Sequence, residues 1–300
     1  MKLDFESSAI ASDIPRSHRQ YLMRRVASAL VTIFRLNNGG PFTTELVQMI
    51  QPKLTVQTPK GPIYFRGGHG RLRWLAETFF TSEEPQTAEW LDTLEPKDVL
   101  WDVGAHVGMV SIYAARFSGA RVFSFEPEAQ NFALLVQNIV LNELTDRCTP
   151  ASVAIAGRTG FGFLGISYLT KGGAYNQFSD RDTPASHPKG NTIHQFINGI
   201  TLDDLVEDGS CLTPSHLKID VDGLEPDILD GAEKLLKTPT LVSVLVEVNQ
   251  ADERQRKMPA LLERHGFKLY KVRSNWEGRS NRAREAEMPT TNMIFNRPHI

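Results

Sequence analysis

Residues 98–126, DVLWDVGAHVGMVSIYAARFSGARVFSFE, restrict the possible folds of this chain more than any other stretch. Residues 99–103 are apolar and β-branched around Trp101, the composition of a buried strand. Asp102, Gly104, Ala105 and Gly108 mark a tight turn, and residues 109–117 then carry apolar side chains at helical spacing. Residues 121–125 read as a second strand, closed by Glu126. Strand, glycine turn, helix and strand make half of a nucleotide-binding βαβ unit. In it Gly104 permits a sharp turn, Gly108 lets the helix start and a ligand approach the backbone, and Glu126 can accept two ribose hydroxyls.

The turn also discriminates between ligands. A dinucleotide site would read G-x-G-x-x-G, whereas this chain reads D-x-G-A-x-x-G with Ala105 in place of the middle glycine. A carboxylate at Asp102 would repel a pyrophosphate but suits a ligand with an ammonium group. S-adenosylmethionine has that group, a ribose and no phosphate. The acidic pair Asp102 and Glu126 therefore favours a methyl donor over an ordinary strand–turn–helix.

Three hundred residues are enough for one large core, with or without an extension. The formal net charge of −2 gives no overall field that would recruit nucleic acid or a membrane. Two cysteines, Cys148 and Cys211, make neither a disulfide framework nor a metal site, which fits a reducing, cytoplasmic compartment. No apolar run approaches the ~20 residues of a membrane span, and the opening MKLDFESSAI does not have the pattern of a signal peptide.

Along the chain, Asp13 and Pro15 are expected to start a helix with Tyr21, Leu22, Val26, Ala29, Leu30 and Ile33 on its apolar face. Residues 43–50 suggest a second helix, 54–58 and 63–65 a β-hairpin, Gly67, Gly68 and Gly70 a turn, and 81–94 a helix with Trp90, Leu91 and Leu94 inward. A boundary near residue 95 separates a helical and hairpin extension, 1–95, from a catalytic domain, 96–300, with the two packing as one unit. After Pro127 comes a helix built on Phe132, Leu135, Val136, Ile139 and Val140, then a strand over 148–155, and a strand over 161–169 that folds back as a hairpin. The polar segment 170–191 has the length of a functional loop, a lid hinged at Gly172 and Gly173. Ile193 opens a further strand that runs to Ile200, and Thr201 caps the helix LDDLVED.

Residues 216–236 repeat the first pattern: a strand over 217–221, Asp220 and Asp222 at its carboxyl end, and a helix over 225–236. The apolar run 241–248 is a strand buried on both faces, with Glu247 and Asn249 at its end; a helix over 258–265 and strands at 267–272 and 292–295 follow. Alternating strands and helices imply an α/β fold with an open, mainly parallel sheet, whose ligands bind beyond the carboxyl ends of the strands.

DVGAHVG, FEP, TLDD, LKIDVDGLEPDILDGA and the closing TTNMIF, in that order, resemble the FkbM-type methyltransferases over residues 80 to 297. The resemblance implies a Rossmann-like seven-stranded sheet, S-adenosylmethionine as donor, and O-methylation of a hydroxyl on a sugar, glycan or polyketide-like small molecule. It sets Asp102, Gly104 and Gly108 against the methionine end and Glu126 against the ribose, with Ala105, His106 and Pro127 in the same two turns. His106 departs from the asparagine common there, and Asp222 replaces a common glutamate.

Methyl transfer to oxygen asks the protein to align the acceptor at ~3 Å from the methyl group and to take up a proton. Asp220 is the first candidate base, Glu247 the second and His106 the third. Asp220 and Asp222 could instead hold a divalent metal, the less favoured reading. An RNA ribose O-methyltransferase, using Lys218, Asp220 and Glu247, and a non-catalytic nucleotide-binding module are the alternatives. Neither a basic groove nor an aromatic-rich patch supports nucleic acid.

Overall fold

The computed structural model describes residues 53–67, 70–166, 177–179, 193–274 and 290–298, together with 25, 26, 28, 29 and 32. The chain divides into two compact units, residues 1–51 and 52–300. In the first, the described residues are helical, and Val26 and Ala29, expected on an apolar face, are exposed. The expected cap at Asp13, the helix over 43–50, the loop residues 170–176 and 180–191, and Gly172 and Gly173 lie outside the described residues. Among the described residues no helix is long and apolar enough to cross a membrane.

The second unit opens with the expected hairpin, β1 (Lys53–Thr58) and β2 (Gly61–Arg66), paired antiparallel. Helix α1 (Gly70–Thr78) follows, so Gly70 begins a helix rather than closing a turn. A π-helical turn, Phe79–Glu83, runs on from α1, and α2 (Pro85–Leu91) restarts with proline in its first turn. The single helix expected over 81–94 is thus broken at Glu84, because Pro85 has no N–H to continue the hydrogen-bond ladder. Trp90, Leu91 and Leu94 do point inward.

Strand β3 (Val99–Val103), α3 (Met109–Tyr113) with its π-helical extension Ala114–Ser118, and β4 (Arg121–Phe125) form the expected half-unit. Helix α4 (Ala129–Leu141) is capped by Glu128, whose carboxylate accepts the N–H groups of Gln130 and Asn131. Its buried face carries Leu134, Leu135 and Ile139 with Asn131 and Asn138, whereas Val140, expected inside, is 59% exposed. Asn138, with Asn142 just beyond the helix, is buried because it serves the hairpin edge. Asn138 accepts the Arg66 N–H at 2.7 Å, and Asn142 accepts the Tyr64 N–H at 2.9 Å.

The strand expected over 148–155 is two strands. β5 (Cys148–Ala151) ends the main sheet, and β6 (Ala154–Ile155) joins a second one. β7 (Gly160–Ile166), β8 (Gln177–Ser179) and β9 (Ile193–Ile200) complete that second sheet, in the order β6–β9–β7–β8. β7 therefore pairs with later strands, not back onto β6. Thr201 caps α5 (Leu202–Asp208) as expected, accepting the Asp204 N–H at 3.0 Å.

β10 (His216–Ile219) leads into α6 (Glu225–Asp230) and α7 (Glu233–Lys237), two helices where one was expected. The break at Gly231 packs against β6, where a Cβ would lie 3.1 Å from the Ala156 carbonyl oxygen. β11 (Ser243–Asn249), α8 (Met258–Arg264), β12 (Lys268–Ser274) and β13 (Thr290–Asn296) follow.

The main sheet has seven strands in the order β12–β13–β11–β10–β3–β4–β5. The five from β11 to β5 are parallel, and β13 runs antiparallel to both neighbours. The order reverses between β3 and β10, which opens a crevice at their carboxyl ends. One sheet face, with Leu100, Leu245 and Ile294, shares a core with Ile112 of α3, Leu135 of α4, Trp90 and Leu91 of α2 and Val56 and Phe65 of the hairpin. The other, with Trp101, Leu217, Val244 and Val246, is covered by α6, α7 and α8 through Ile228, Leu235 and Leu262. Residues 53–94, assigned from the sequence to an extension, thus share one core with the sheet.

Candidate active site

Gly104 leaves β3 with φ +78°, and a Cβ there would lie 1.9 Å from the carbonyl oxygen of Asp220. Two loops therefore touch backbone to backbone at the switch point, a contact that only glycine allows. The N–H groups of Gly104 and Ala105 both donate to the Phe125 carbonyl, at 3.1 and 3.0 Å. His106 has φ +52°, outside the usual range for a branched ring side chain, and its N–H donates to Glu126 Oε2 at 2.8 Å. Gly108 also has positive φ, and a Cβ would lie 2.8 Å from Leu135 of α4.

Glu126 sits beyond β4 and is buried. Its second oxygen accepts the Glu128 N–H at 2.9 Å. Burial pushes its carboxyl up to about 7 against the lowering effect of the two N–H donors. A carboxylate has about four acceptor positions, so two remain for a ligand. Pro127 lies between the two glutamates, and its carbonyl accepts the Gln195 side chain at 2.6 Å. Gln195 also accepts the Ala129 N–H at 3.1 Å, so β9 of the second sheet braces this turn.

Asp102, expected against the methionine end of the donor, lies near the end of β3. It is fully buried, and Ser111 donates to its Oδ2 at 2.6 Å, with Ser124 a further 2.7 Å from Ser111. Its Oδ1 faces Lys218 Nζ at 3.6 Å. Asp102 lies beneath the turn, with Oδ1 accepting no hydrogen bond among the described residues.

Lys218 lies opposite Asp102 in the parallel register of β3 and β10. Its ammonium donates to the Gly104 carbonyl at 3.2 Å and pairs with Asp220 Oδ2 at 3.2 Å. Burial alone would lower its pKa; the carboxylates of Asp220, Asp102 and Glu84 outweigh that and hold it raised. Asp220, at the crevice, keeps about a third of its side chain exposed, 31%.

Beyond it the chain turns at Asp222 (φ +57°) and Gly223 (φ +114°). Buried Glu225 fixes this turn by accepting the N–H groups of Val221 and Gly223 at 3.0 and 3.1 Å. Burial raises the Glu225 carboxyl to about 7. Gln255 donates to Glu225 at 3.0 Å and accepts the Asn249 N–H at 2.6 Å, which ties the end of β11 to the same turn. On β11, Glu247 lies in register with buried Asn292 of β13. Burial first, then the charges of Asp220, Glu84, Asp222 and Glu225, push Glu247 well above the usual carboxylate range.

The structure thus brings Asp220, Asp222 and Glu247 together on one side of Gly104, and His106, Gly108, Glu126 and Pro127 on the other. His106, the third candidate base from sequence, belongs to the glycine turn after β3. Among the described residues no group of three or more His, Cys, Asp or Glu side chains is arranged to hold a metal ion. Cys148 and Cys211 are free, and burial raises both thiols. Sequence reasoning missed Glu84, Asn292, Gln255 and Gln195. Their only sequence signal is weak: Glu84 precedes a helix-starting proline, and Asn292 interrupts an apolar strand.

A solved FkbM methyltransferase from Methylobacillus flagellatus superposes with a TM-score of 0.44 at 17% identity, covering 68% of this chain and 47% of that one. The hexuronic acid methyltransferase AglP of Haloferax volcanii is 29% identical over 154 residues, 51% of this chain and 58% of the relative. The chain therefore spans little more than half the length of that relative. The 31-O-demethyl-FK506 methyltransferase FkbM of Streptomyces tacrolimicus is 27% identical over 234 residues, 71% of this chain and 88% of the relative. The model of the methyltransferase FkbM domain matches residues 102–269. That match takes in more than half of the chain and runs from Asp102 through the donor turn to β12, and the chain belongs to the family of FkbM-domain methyltransferases.

Proposed function

We propose that this protein transfers a methyl group from S-adenosylmethionine to a hydroxyl of a sugar, a uronic acid or a polyketide-like small molecule. The observation that carries the reading is the arrangement across the switch point. A carboxylate with spare acceptor positions, Glu126, stands on one side of Gly104, and the group Asp220, Glu247 and Glu84 stands on the other. Glu126 would hold the ribose, with the backbone of residues 104–108 and Pro127 lining the rest of the donor. When bound, the donor supplies an electrophilic methyl group.

The chain's own residues then have two tasks. Asp220, held by Lys218, orients an acceptor hydroxyl by accepting a hydrogen bond. Glu247 takes the proton. Asp220 was the first candidate base from sequence, but its Oδ2 is engaged in the ion pair with Lys218, which suits it to orienting the acceptor. Glu247, buried among carboxylates, is the stronger one. The names of the relatives, one acting on a hexuronic acid and one on FK506, support an acceptor hydroxyl on a sugar or polyketide. Lys218, Asp220 and Glu247 do come together, as an RNA ribose O-methyltransferase would need. The surrounding carboxylates would repel a polyanion and disfavour it.

Isotope-labelled donor, offered with uronic acid glycosides, neutral sugars, macrolide alcohols, lipids and RNA, tests the reading. Label on a sugar or macrolide oxygen is the expected result. Label on RNA, or none on any acceptor despite donor binding, would overturn it.

A further inference from the structure

The turn that carries Glu126 is held from outside the main sheet. Gln195, on β9 of the second sheet, donates its side-chain N–H to the Pro127 carbonyl at 2.6 Å. Its side-chain oxygen accepts the Ala129 N–H at 3.1 Å. The fold of the second sheet places this amide. β9 alternates between two faces. Ile197 is buried with Leu164 of β7, whereas Phe196 lies exposed on the other face. Gln195 pairs in register with Leu164, so it extends the buried face to the turn after β4.

The two bonds bracket Glu128. The Pro127 carbonyl and the Glu128 N–H belong to one trans peptide, so they point in opposite directions. A bond that fixes the carbonyl therefore aims the N–H. That N–H donates to Glu126 Oε1 at 2.9 Å, and the His106 N–H holds Oε2 at 2.8 Å. The Ala129 N–H is one of the donors that α4 leaves unpaired at its start. The Glu128 carboxylate accepts the next two, from Gln130 and Asn131. Gln195 and Glu128 together fill the first turn of the helix.

We propose that Gln195 is a positioning residue of the donor site, which sets the peptide between Pro127 and Glu128 so that the Glu126 carboxylate is presented to the ribose. The inference rests on the reading that Glu126 holds the ribose, and it makes the second sheet part of the donor-binding machinery. The charges that face Glu126 are those of Glu128, at the start of α4, and Lys218, from β10. The Glu128 N–H favours the ionised carboxylate against the effect of burial. A peptide released from Gln195 would leave Glu126 both misdirected and harder to ionise. The alternative is a role in the fold alone, in which Gln195 ties α4 to the second sheet and the carboxylate does not feel it.

Calorimetric titration of the full-length protein with S-adenosylhomocysteine separates the two. Gln195→Met keeps the length and bulk of the side chain and removes both bonds. Its affinity should be about tenfold weaker than wild type, the loss of one hydrogen bond to a charged group. The same change in a Glu126→Ala background should alter affinity by no more than about twofold, since the positioned carboxylate is gone. An equal loss in both backgrounds, or wild-type affinity in Gln195→Met, overturns the proposal. Carboxyl-¹³C NMR of glutamate-labelled, ligand-free protein reads the same contact without a donor. The Glu126 midpoint should rise by about half a pH unit or more in Gln195→Met; a midpoint that stays in place also overturns the proposal. If Gln195→Met does not fold, Gln195→Asn, one methylene too short to bridge both groups, takes its place in each measurement. If Glu126→Ala binds as tightly as wild type, the ribose reading is lost and takes the proposal with it. If Glu126→Ala is weakened and Gln195→Met is not, the proposal alone is lost.

Discussion

The indole N–H of Trp90 and the hydroxyl of Ser243 form a 2.7 Å hydrogen bond between residues 153 positions apart. Both side chains are buried, so the bond has no water to replace it. Ser243→Ala leaves the indole N–H unpaired and should lower stability by about 1–3 kcal/mol. Trp90→Ala adds a cavity and should cost about 3–5 kcal/mol. Denaturant midpoints measure both, and a Ser243→Ala midpoint equal to wild type would show that the bond contributes nothing.

With Glu126 on the ribose, as proposed, donor binding should depend on pH. Its carboxyl sits at about 7 because of burial, and only the ionised form accepts two ribose hydroxyls. Affinity for S-adenosylhomocysteine should be flat above about pH 8 and fall as pH drops through 7, approaching tenfold per unit. Glu126→Ala should weaken binding by about 2–3 kcal/mol and flatten that slope. Calorimetric titrations at several pH values provide the check; a variant with wild-type affinity would remove Glu126 from the donor site.

Two glycines of positive φ should respond differently to alanine. At Gly209 (φ +68°) nothing lies within 4 Å of a new Cβ, so only backbone strain, about 1 kcal/mol, is expected. At Gly104 the Cβ would overlap the Asp220 carbonyl at 1.9 Å, so the loops must separate. Gly104→Ala should cost more than 4 kcal/mol, the range of severe core lesions, and abolish donor binding. Similar melting temperatures for the two variants would show that the loops are not in contact.

Stability of the ligand-free protein should fall as pH rises from 6 to 8. Burial raises Glu84, Glu126 and Glu225 to about 7. The folded state holds these protons after the unfolded chain, with carboxyls near the usual 4.5, has released them. Their contribution is complete below that unfolded value and is lost as pH passes through 7. His216 and His265, both lowered by burial, act oppositely below their ordinary 6.5, but they are two groups against four carboxyls once Glu247 is included. Thermal melts in constant ionic strength should give the lower midpoint at pH 8; a higher one would mean that these carboxyls are ionised in the fold.

The half-unit from β3 to β4 was legible because strand, glycine turn and helix each have a local physical signature. The count of seven strands came with the family resemblance and the open, mainly parallel sheet from alternating strands and helices, whereas the strand order and the reversal between β3 and β10 appear only in the structure. What stayed hidden depended on contacts between distant residues. Asp102 reads as a ligand-facing acid, and nothing in the sequence shows that Ser111, Ser124 and Lys218 gather around it. Glu84 has no periodicity to mark it, and α2, which it precedes, is tied to the sheet by Trp90 on Ser243. The break at Gly231 reflects the carbonyls of residues 156 and 157, which no reading of residues 225–236 alone can show.

The hairpin, through Val56 and Phe65, and α2, through Trp90 and Leu91, belong to the same core as Leu100, Leu245 and Ile294 of the sheet. This has a practical meaning for exchanging parts between relatives. A graft taken from residue 96 onward would carry the donor turn intact but arrive with part of that core bare and no Glu84. A transplant of acceptor preference has to move residues 53–94 along with the strands they cover, and the smallest working module starts at the hairpin.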